Sequence, residues 1–248
     1  MNRIAEVQKA VRALADPKRA AGLQGFFKTG PGEYGEGDVF VGLTVPQIRS
    51  LIRRFHPADD AVVSGLLRSP IHEERLLALL LLVERYPKDR DRVFRLYVKH
   101  FNRINNWDLV DASAEHIVGA QQVGRAQLLR WARSTHLWTR RIAIVSTFHS
   151  IRAGRFGDTL AVAAALLADE EDLMHKATGW MLREVGKRDV AALETFLRRH
   201  HRRMPRTMLR YAIERFPEPK RKAWLRGDAD QAGGEDRSRT CMPRKAPR

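Results

Sequence analysis

Trp107 and Asp111 stand one helical turn apart in the segment Asn105-Asn106-Trp107-Asp108-Leu109-Val110-Asp111, and residues four apart share a helix face. An indole can hold a flat group while a carboxylate beside it meets positive charge that develops there. The surrounding chain makes the pair unusual. It carries 45 Lys and Arg against 29 Asp and Glu, a net charge of +16 and a pI near 10.8, a balance that favours a polyanionic partner. A carboxylate placed to face a polyanion points to chemistry on that partner, DNA, rather than attachment alone.

Each site residue also has a structural reading. Asn105 is expected as an N-cap with Asp108 at N3, where a carboxylate meets the free amides and the helix dipole. Asp111 lies beyond the first turn, about 40° from Trp107 and at the edge of the stripe Val110, Ala114, Ile117 and Val118. A half-buried carboxylate there needs compensation, so an internal salt bridge stands beside a functional role. Arg141 falls amid Trp138, Ile144, Val145 and Phe148, and an Arg inside an apolar stripe must find an anion. That anion is either Asp111 or a phosphate in a groove between helices. Arg140, about 100° away, reads as a surface cation. Trp180 has Lys176, Arg183 and Lys187 within about 60° of it, which suits either a stacking platform beside phosphates or packing at a groove margin. Arg202, Arg203, Arg206 and Arg210 extend the basic surface.

The elements that must position these residues are helical nearly throughout. Helix starts are expected near Pro70, Asn105, His136, Glu170 and Met204, separated by 35, 31, 34 and 34 residues. Each interval holds a second apolar stretch, at 91–101, 125–133, 156–168 and 190–200. This is the rhythm of paired-helix repeats stacked into an all-α, α-α superhelix (solenoid). Arg75, Arg141, Lys176 and Arg206 fall at comparable points in successive repeats, so stacking is expected to line them along one basic surface. The segment from Gly25 to Gly42, with six glycines around Pro31, lacks a P-loop ending and a preceding strand and is read as a loop. From Asp228 the chain loses apolar residues and is expected to be a disordered tail, 228–248, after one domain over 1–227. The tail holds five basic and four acidic residues, so the basic character belongs to the folded part.

Several classes fall away. The most apolar run, Leu76 to Val83, is too short to span a bilayer, and the first residues lack a signal peptide's apolar stretch. The lone Cys241 gives no internal disulfide and no thiolate metal site, in keeping with a reducing cytoplasm.

Four ordered segments resemble the HEAT-like-repeat DNA glycosylases of the AlkD type. They are Phe40-Val41-Gly42-Leu43 with Val45-Pro46, Trp107 to Asp111, Trp138 to Ile144, and Lys176 to Glu184, and the resemblance covers most of residues 1–227. It implies a helical-repeat fold with a basic concave DNA-binding face, and removal of cationic N3- and N7-alkylpurines without metal or cofactor. It implies a catalytic cleft of Asp111, Trp107 and Trp180, with Arg141 touching DNA near the lesion. Lys176, Arg183, Lys187, Arg206 and Arg210 are expected to contact DNA. Double-stranded alkylated DNA is the expected partner, the protein a monomer in the cytoplasm with the nucleoid. Asn106 stands where some members carry a further Trp, and the stretch from Lys28 to Gly37 is longer than the family pattern. Some relatives bind branched DNA without excising bases, so a noncatalytic DNA-structure binder stands as the alternative, and a helical scaffold for an acidic protein as a third reading.

Overall fold

The computed structural model describes residues 3–228. The expected tail lies outside them apart from Asp228. Helix follows helix in the order α1 (Arg3–Arg12), α2 (Pro17–Phe26), α3 (Val45–Phe55), α4 (Asp60–Leu67), α5 (His72–Arg85), α6 (Arg90–Lys99), α7 (Trp107–Asp111) and α8 (Arg125–Ala132). Then come α9 (Leu137–Ser146), α10 (Phe148–Arg152), α11 (Gly157–Ala165), α12 (Asp172–Gly186), α13 (Val190–His200), α14 (Arg206–Ala212) and α15 (Glu218–Arg226). Among the described residues there is no strand, only an isolated bridge from Val39 to Ile71. No described helix is long and apolar enough to cross a membrane.

The five expected starts become α5, α7, α9, α12 and α14, each beginning within two residues of its expected position. Neighbours in that series pack against one another in a single row, α5 on α7, α7 on α9, α9 on α12 and α12 on α14. The second apolar stretches become α6, α8, α11 and α13, which cover the row from behind as a second layer. No helix pair is wide enough to bury its own apolar face, so the stack supplies the core. One continuous cluster accordingly runs from Val7 in α1 to Trp224 in α15. The arrangement is the α-α superhelix expected from the 34-residue rhythm.

Two glycines let the row close up. A Cβ on Gly179 of α12 would sit 2.5 Å from the Met208 carbonyl oxygen in α14, and one on Gly119 would sit 2.3 Å from that of Ser146. Gly119 ends a π-helical turn over Glu115–Gly119. The apolar stripe that begins at Val110 therefore does not continue as one α-helix, and α7 stops at Asp111. Ser113 holds the break: its Oγ donates to the Leu109 carbonyl at 2.6 Å and pairs with the Tyr97 hydroxyl at 2.8 Å.

Cations on the row keep a different register from the expected one. In α5, Arg75 Nη1 donates to the carbonyls of Ser69 and Pro70, six and five residues back (2.9 and 3.1 Å). In α9 it is Arg140 that does this, to Ser134 and Thr135 at 3.0 and 3.1 Å. In α12, His175 Nε2 meets the Asp169 carbonyl, again six back, at 2.5 Å. The fourth residue of each helix thus ties down the loop that enters it. Arg75 corresponds to Arg140, not Arg141, and both are tied to carboxylates: the buried Arg75 pairs with Asp38, and the half-buried Arg140 with Asp169 at 2.6 Å. The reading of Arg140 as a surface cation, and of Arg75 as part of an exposed basic line, is corrected by those buried partners.

Candidate active site

Helix α7 is only five residues long and depends on its cap. Asn106, not Asn105, is the N-cap: its Oδ1 accepts from the Trp107 amide at 2.8 Å. Asp108 therefore sits one position nearer the cap than expected, and its Oδ1 accepts from the Leu109 amide at 2.8 Å. Asn105 instead turns its amide to Asp38 at 3.2 Å. Placing Trp107 at the first helical position sends its indole outward while Asp111 falls on the last turn, against α9.

Asp111 and Arg141 meet in a two-pronged pair. Nε donates to Oδ1 at 2.9 Å and Nη2 to Oδ2 at 2.8 Å, while Nη1 donates to the Leu173 carbonyl at 2.8 Å. One guanidinium thereby joins α7, α9 and the start of α12. The Arg141 side chain is 6% exposed and that of Asp111 21%, so the Arg is interior and the carboxylate keeps an open side. Each carboxylate oxygen retains lone-pair capacity after meeting Arg141. Burial pushes the Asp111 pKa up, and the Arg141 charge and hydrogen bonds pull against it; the nearby Asp108 charge adds to the rise. Of the two anions open to Arg141 in the sequence, the folded chain supplies Asp111.

Trp107 is half-buried in an aromatic pile. Its ring stacks on Phe27 (centroids 5.2 Å apart, 14° between planes), Phe27 on Phe40 (4.8 Å, 22°) and Phe40 on the His72 imidazole (4.3 Å, 22°). Phe26 meets Trp107 edge-on at 6.0 Å and is 64% exposed, the most exposed large apolar side chain described. Nothing in the helical periodicity marks Phe26 or Phe27, because they end a short helix before the glycine-rich stretch.

Beneath α7 lies a polar network that little in the sequence marks. His72, the first residue of α5, bonds Asp38 Oδ2 through Nδ1 at 2.9 Å and Asp108 Oδ2 through Nε2 at 2.8 Å. Asp38 also takes Arg75 and the amide groups of Asn105 and Asn106. Burial alone would depress the His72 pKa, but hydrogen bonds to Asp108 and Asp38 and their charges outweigh it and raise it. Asp38 is held below the ordinary carboxylate range: His72, Arg75 and Asn106 overcome the cost of its burial. The loop expected over Gly25 to Gly42 is present beyond the end of α2, and it works as a strap across the row. Tyr34 sets its ring against Trp138 at 6.2 Å, a Cβ on Gly35 would meet the Phe27 carbonyl at 2.4 Å, and Asp38 enters the network. A run of four ionisable residues, His72 to Arg75, immediately before the apolar stretch Leu76 to Val83 is the one available hint, and all four are buried.

Trp180 is half-buried on α12 against Phe148, 5.9 Å between centroids. The guanidinium groups of Arg152 and Arg188 lie over that Phe148 ring at 4.7 and 5.8 Å. Trp180 therefore belongs to a second aromatic and basic patch on the row, distinct from the Trp107 pile. Of the cations expected around it, Lys176 pairs with Asp172 at 2.7 Å, Arg183 with Glu214, and Lys187 with Glu184 at 2.6 Å. Arg206 is exposed and donates to the Leu225 carbonyl at 2.6 Å. Arg199, Arg202, Arg203 and Arg210 are exposed with no ion-pair partner among the described residues. No cluster of three or more His, Cys, Asp or Glu suited to a metal occurs among the described residues.

The row, its covering layer and the capped helix carrying indole and carboxylate define an all-helical repeat protein. The same fold occurs in a solved structure from Enterococcus faecalis described as a predicted DNA alkylation repair enzyme. That structure is 16% identical, with a TM-score of 0.68 over 82% of this chain and 97% of the other. Residues 7–216 match the family described as DNA alkylation repair enzyme, and the chain belongs to that family. Among curated proteins none matches.

Proposed function

We propose that this member of the DNA alkylation repair family is a HEAT-like-repeat DNA glycosylase of the AlkD type. It hydrolyses the N-glycosidic bond of cationic N3- and N7-alkylated purines in duplex DNA. It acts as a monomer of one repeat domain over residues 1–227, without metal or cofactor, in the cytoplasm on nucleoid DNA. The observation that carries the reading is the Asp111 carboxylate, fixed by both prongs of Arg141, partly open, and one turn from the Trp107 indole.

The chemistry asks for little else. Alkylation at a ring nitrogen makes the purine a cation and a neutral leaving group, so no general acid is required. As the C–N bond lengthens the sugar takes on oxocarbenium character, and a carboxylate oriented in advance lowers that transition state and can hold a water for attack. Trp107 and Trp180 offer indole faces that stabilise cationic character and exclude bulk water. Arg141 acts by orienting Asp111; contact with the DNA backbone near the lesion is proposed to follow from opening at the α7, α9 and α12 junction. Lys176, Arg183, Lys187, Arg206 and Arg210 are proposed phosphate contacts, the first three by exchanging their carboxylate partners for phosphate.

The test is single-turnover release of 3-methyladenine and 7-methylguanine from methylated duplex, with undamaged and four-way-junction DNA as binding controls. Asp111→Asn keeps the side chain's size and removes its charge. Release should fall by at least about 10²-fold, about 2.7 kcal/mol of transition-state stabilisation, with DNA affinity kept or raised. The second reading, a noncatalytic binder of branched DNA, draws on Arg141 already neutralising Asp111 in the free chain. Wild-type protein that binds a junction and releases no base would establish that reading instead.

A further inference from the structure

We propose that His72 is a positioning residue of this site: as an imidazolium donating to Asp38 and Asp108 together, it fixes the first turn of α7 and the plane of the Trp107 indole. The inference rests on the glycosylase reading only for what α7 carries. Two physical links run from His72 to Trp107. The first is the hydrogen bond to Asp108, whose other oxygen caps the Leu109 amide two residues beyond Trp107. The second is the ring stack His72, Phe40, Phe27, Trp107. A change in the position of one ring is passed to the next because aromatic faces in contact move together.

The protonation state follows from the partners. A neutral imidazole has one N–H and one lone pair, so with both ring nitrogens within 2.9 Å of carboxylate oxygens it would set a lone pair against an anion. Doubly protonated, it donates to both. The charged groups facing it are Asp38 from the strap and Asp108 from α7, with Arg75 of its own helix reaching Asp38 from one turn on. Glu73 turns away, accepting from the amides of Val41, Gly42 and Leu43. With His72 charged the group of four, two anions and two cations, is neutral. The positive end of the α5 dipole opposes a cation at its first residue; against it stand two carboxylates at 2.8 and 2.9 Å, whose hydrogen bonds and charges also outweigh burial in raising the His72 pKa. Loss of the proton as pH rises through that raised value should release Asp108 and loosen α7.

The experiment follows nitrogen-15 NMR of the histidine rings in the intact protein, with His72 assigned by its absence in His72→Gln, beside single-turnover release of 3-methyladenine, whose ring has no N–H to titrate. Both His72 nitrogens should carry protons at pH 7. The Trp107 indole N–H, assigned through Trp107→Phe, should shift with the same midpoint as the ring. Base release should show an alkaline limb at that midpoint, which Asp108→Asn moves to lower pH by removing one stabilising charge. His72→Gln should lose the limb and run about 10- to 100-fold slower, with affinity for undamaged duplex within about twofold. If His72→Gln fails to fold, the wild-type titration and Asp108→Asn still decide. A singly protonated ring at pH 7, or a Trp107 resonance indifferent to the His72 titration, overturns the proposal. Absence of base release in wild type would count against the glycosylase reading and leave the NMR result to judge His72.

Discussion

A carboxylate that must stay charged beside a sugar gaining positive charge is best held by a partner that does not titrate, and a guanidinium is such a partner. Arg141 is nearly enclosed and spends all three nitrogens on Asp111 and the Leu173 carbonyl, so its charge cannot be satisfied by solvent. Removing either member leaves the other exposed to the full cost of burial. Asp111→Asn should nevertheless leave the protein folded with only a small change in stability, since Asn keeps one acceptor for Arg141 and the lost pairing is set against relief of the carboxylate's burial cost. The pH dependence has a definite sign. Burial raises the Asp111 pKa, so as pH falls through that raised value the carboxylate gains a proton and loses the charge proposed to act in catalysis. For stability the same shift runs the other way, because a carboxylate with a raised folded pKa costs most when ionised and that cost is relieved as pH falls. Single-turnover release of 7-methylguanine should drop on an acid limb above the ordinary aspartate range, and Asp111→Asn should abolish the limb along with most of the rate. A limb at the position of a solvent-exposed Asp would show that Asp111 is not the group being protonated.

At the scale of elements, the site depends on how closely the row packs and how its short helix is capped. Gly179 precedes Trp180 on α12, and its Cβ would meet backbone and the Tyr211 side chain of α14, both at 2.5 Å. Gly179→Ala must push the two helices apart, at a cost of about 1–3 kcal/mol. It should lower Tm and slow base release through displacement of Trp180, with Arg141 and Asp111 untouched; an unchanged Tm would mean that the α12 and α14 contact is looser than described. The row itself was legible in the sequence because a 34-residue spacing of apolar segments reports stacking directly, and local periodicity is enough to find it. Finer registers were not. The equivalence of Arg75 with Arg140 is set by which loop carbonyls each can reach, a distance that counting from an approximate helix start misses by one residue. The same single-residue shift separates the cap expected at Asn105 from Asn106, which makes the bond. The sequence leaves Asp111 and a phosphate both open as the anion for Arg141, since a buried charge announces that it needs a partner but not which. Asp38 and His72 were out of reach because their contacts join a loop, α5 and α7 across 34 and 36 residues, and nothing local in either segment encodes the other.

For the whole molecule the governing quantity is where unpaired positive charge lies. Many of the 45 basic residues are spent internally: Arg75 and Arg141 are buried against Asp38 and Asp111, and the half-buried Arg140 pairs with Asp169. The charge left for a polyanion is thus smaller than the net charge suggests, and exposed cations with no ion-pair partner among the described residues include Arg49, Arg53 and Arg54 on α3, Arg95 and Lys99 on α6, and Arg199, Arg202, Arg203 and Arg210 where α13 runs into α14. Each cation that meets a phosphate releases condensed counterion, so log affinity should fall linearly with log salt, with a slope of about 0.9 per contact on duplex DNA. Replacing Arg202 and Arg203 together by Gln should weaken binding to alkylated and undamaged duplex alike and reduce the slope by about two. Asp111→Asn should leave the slope as it is, because that carboxylate is proposed to meet the sugar and not the phosphates. The contrast separates holding the duplex from breaking the glycosidic bond. If the double Arg variant keeps the wild-type salt slope, Arg202 and Arg203 do not carry the DNA, and the phosphates are held by other cations, such as Lys176, Arg183 and Lys187 after they leave their carboxylate partners.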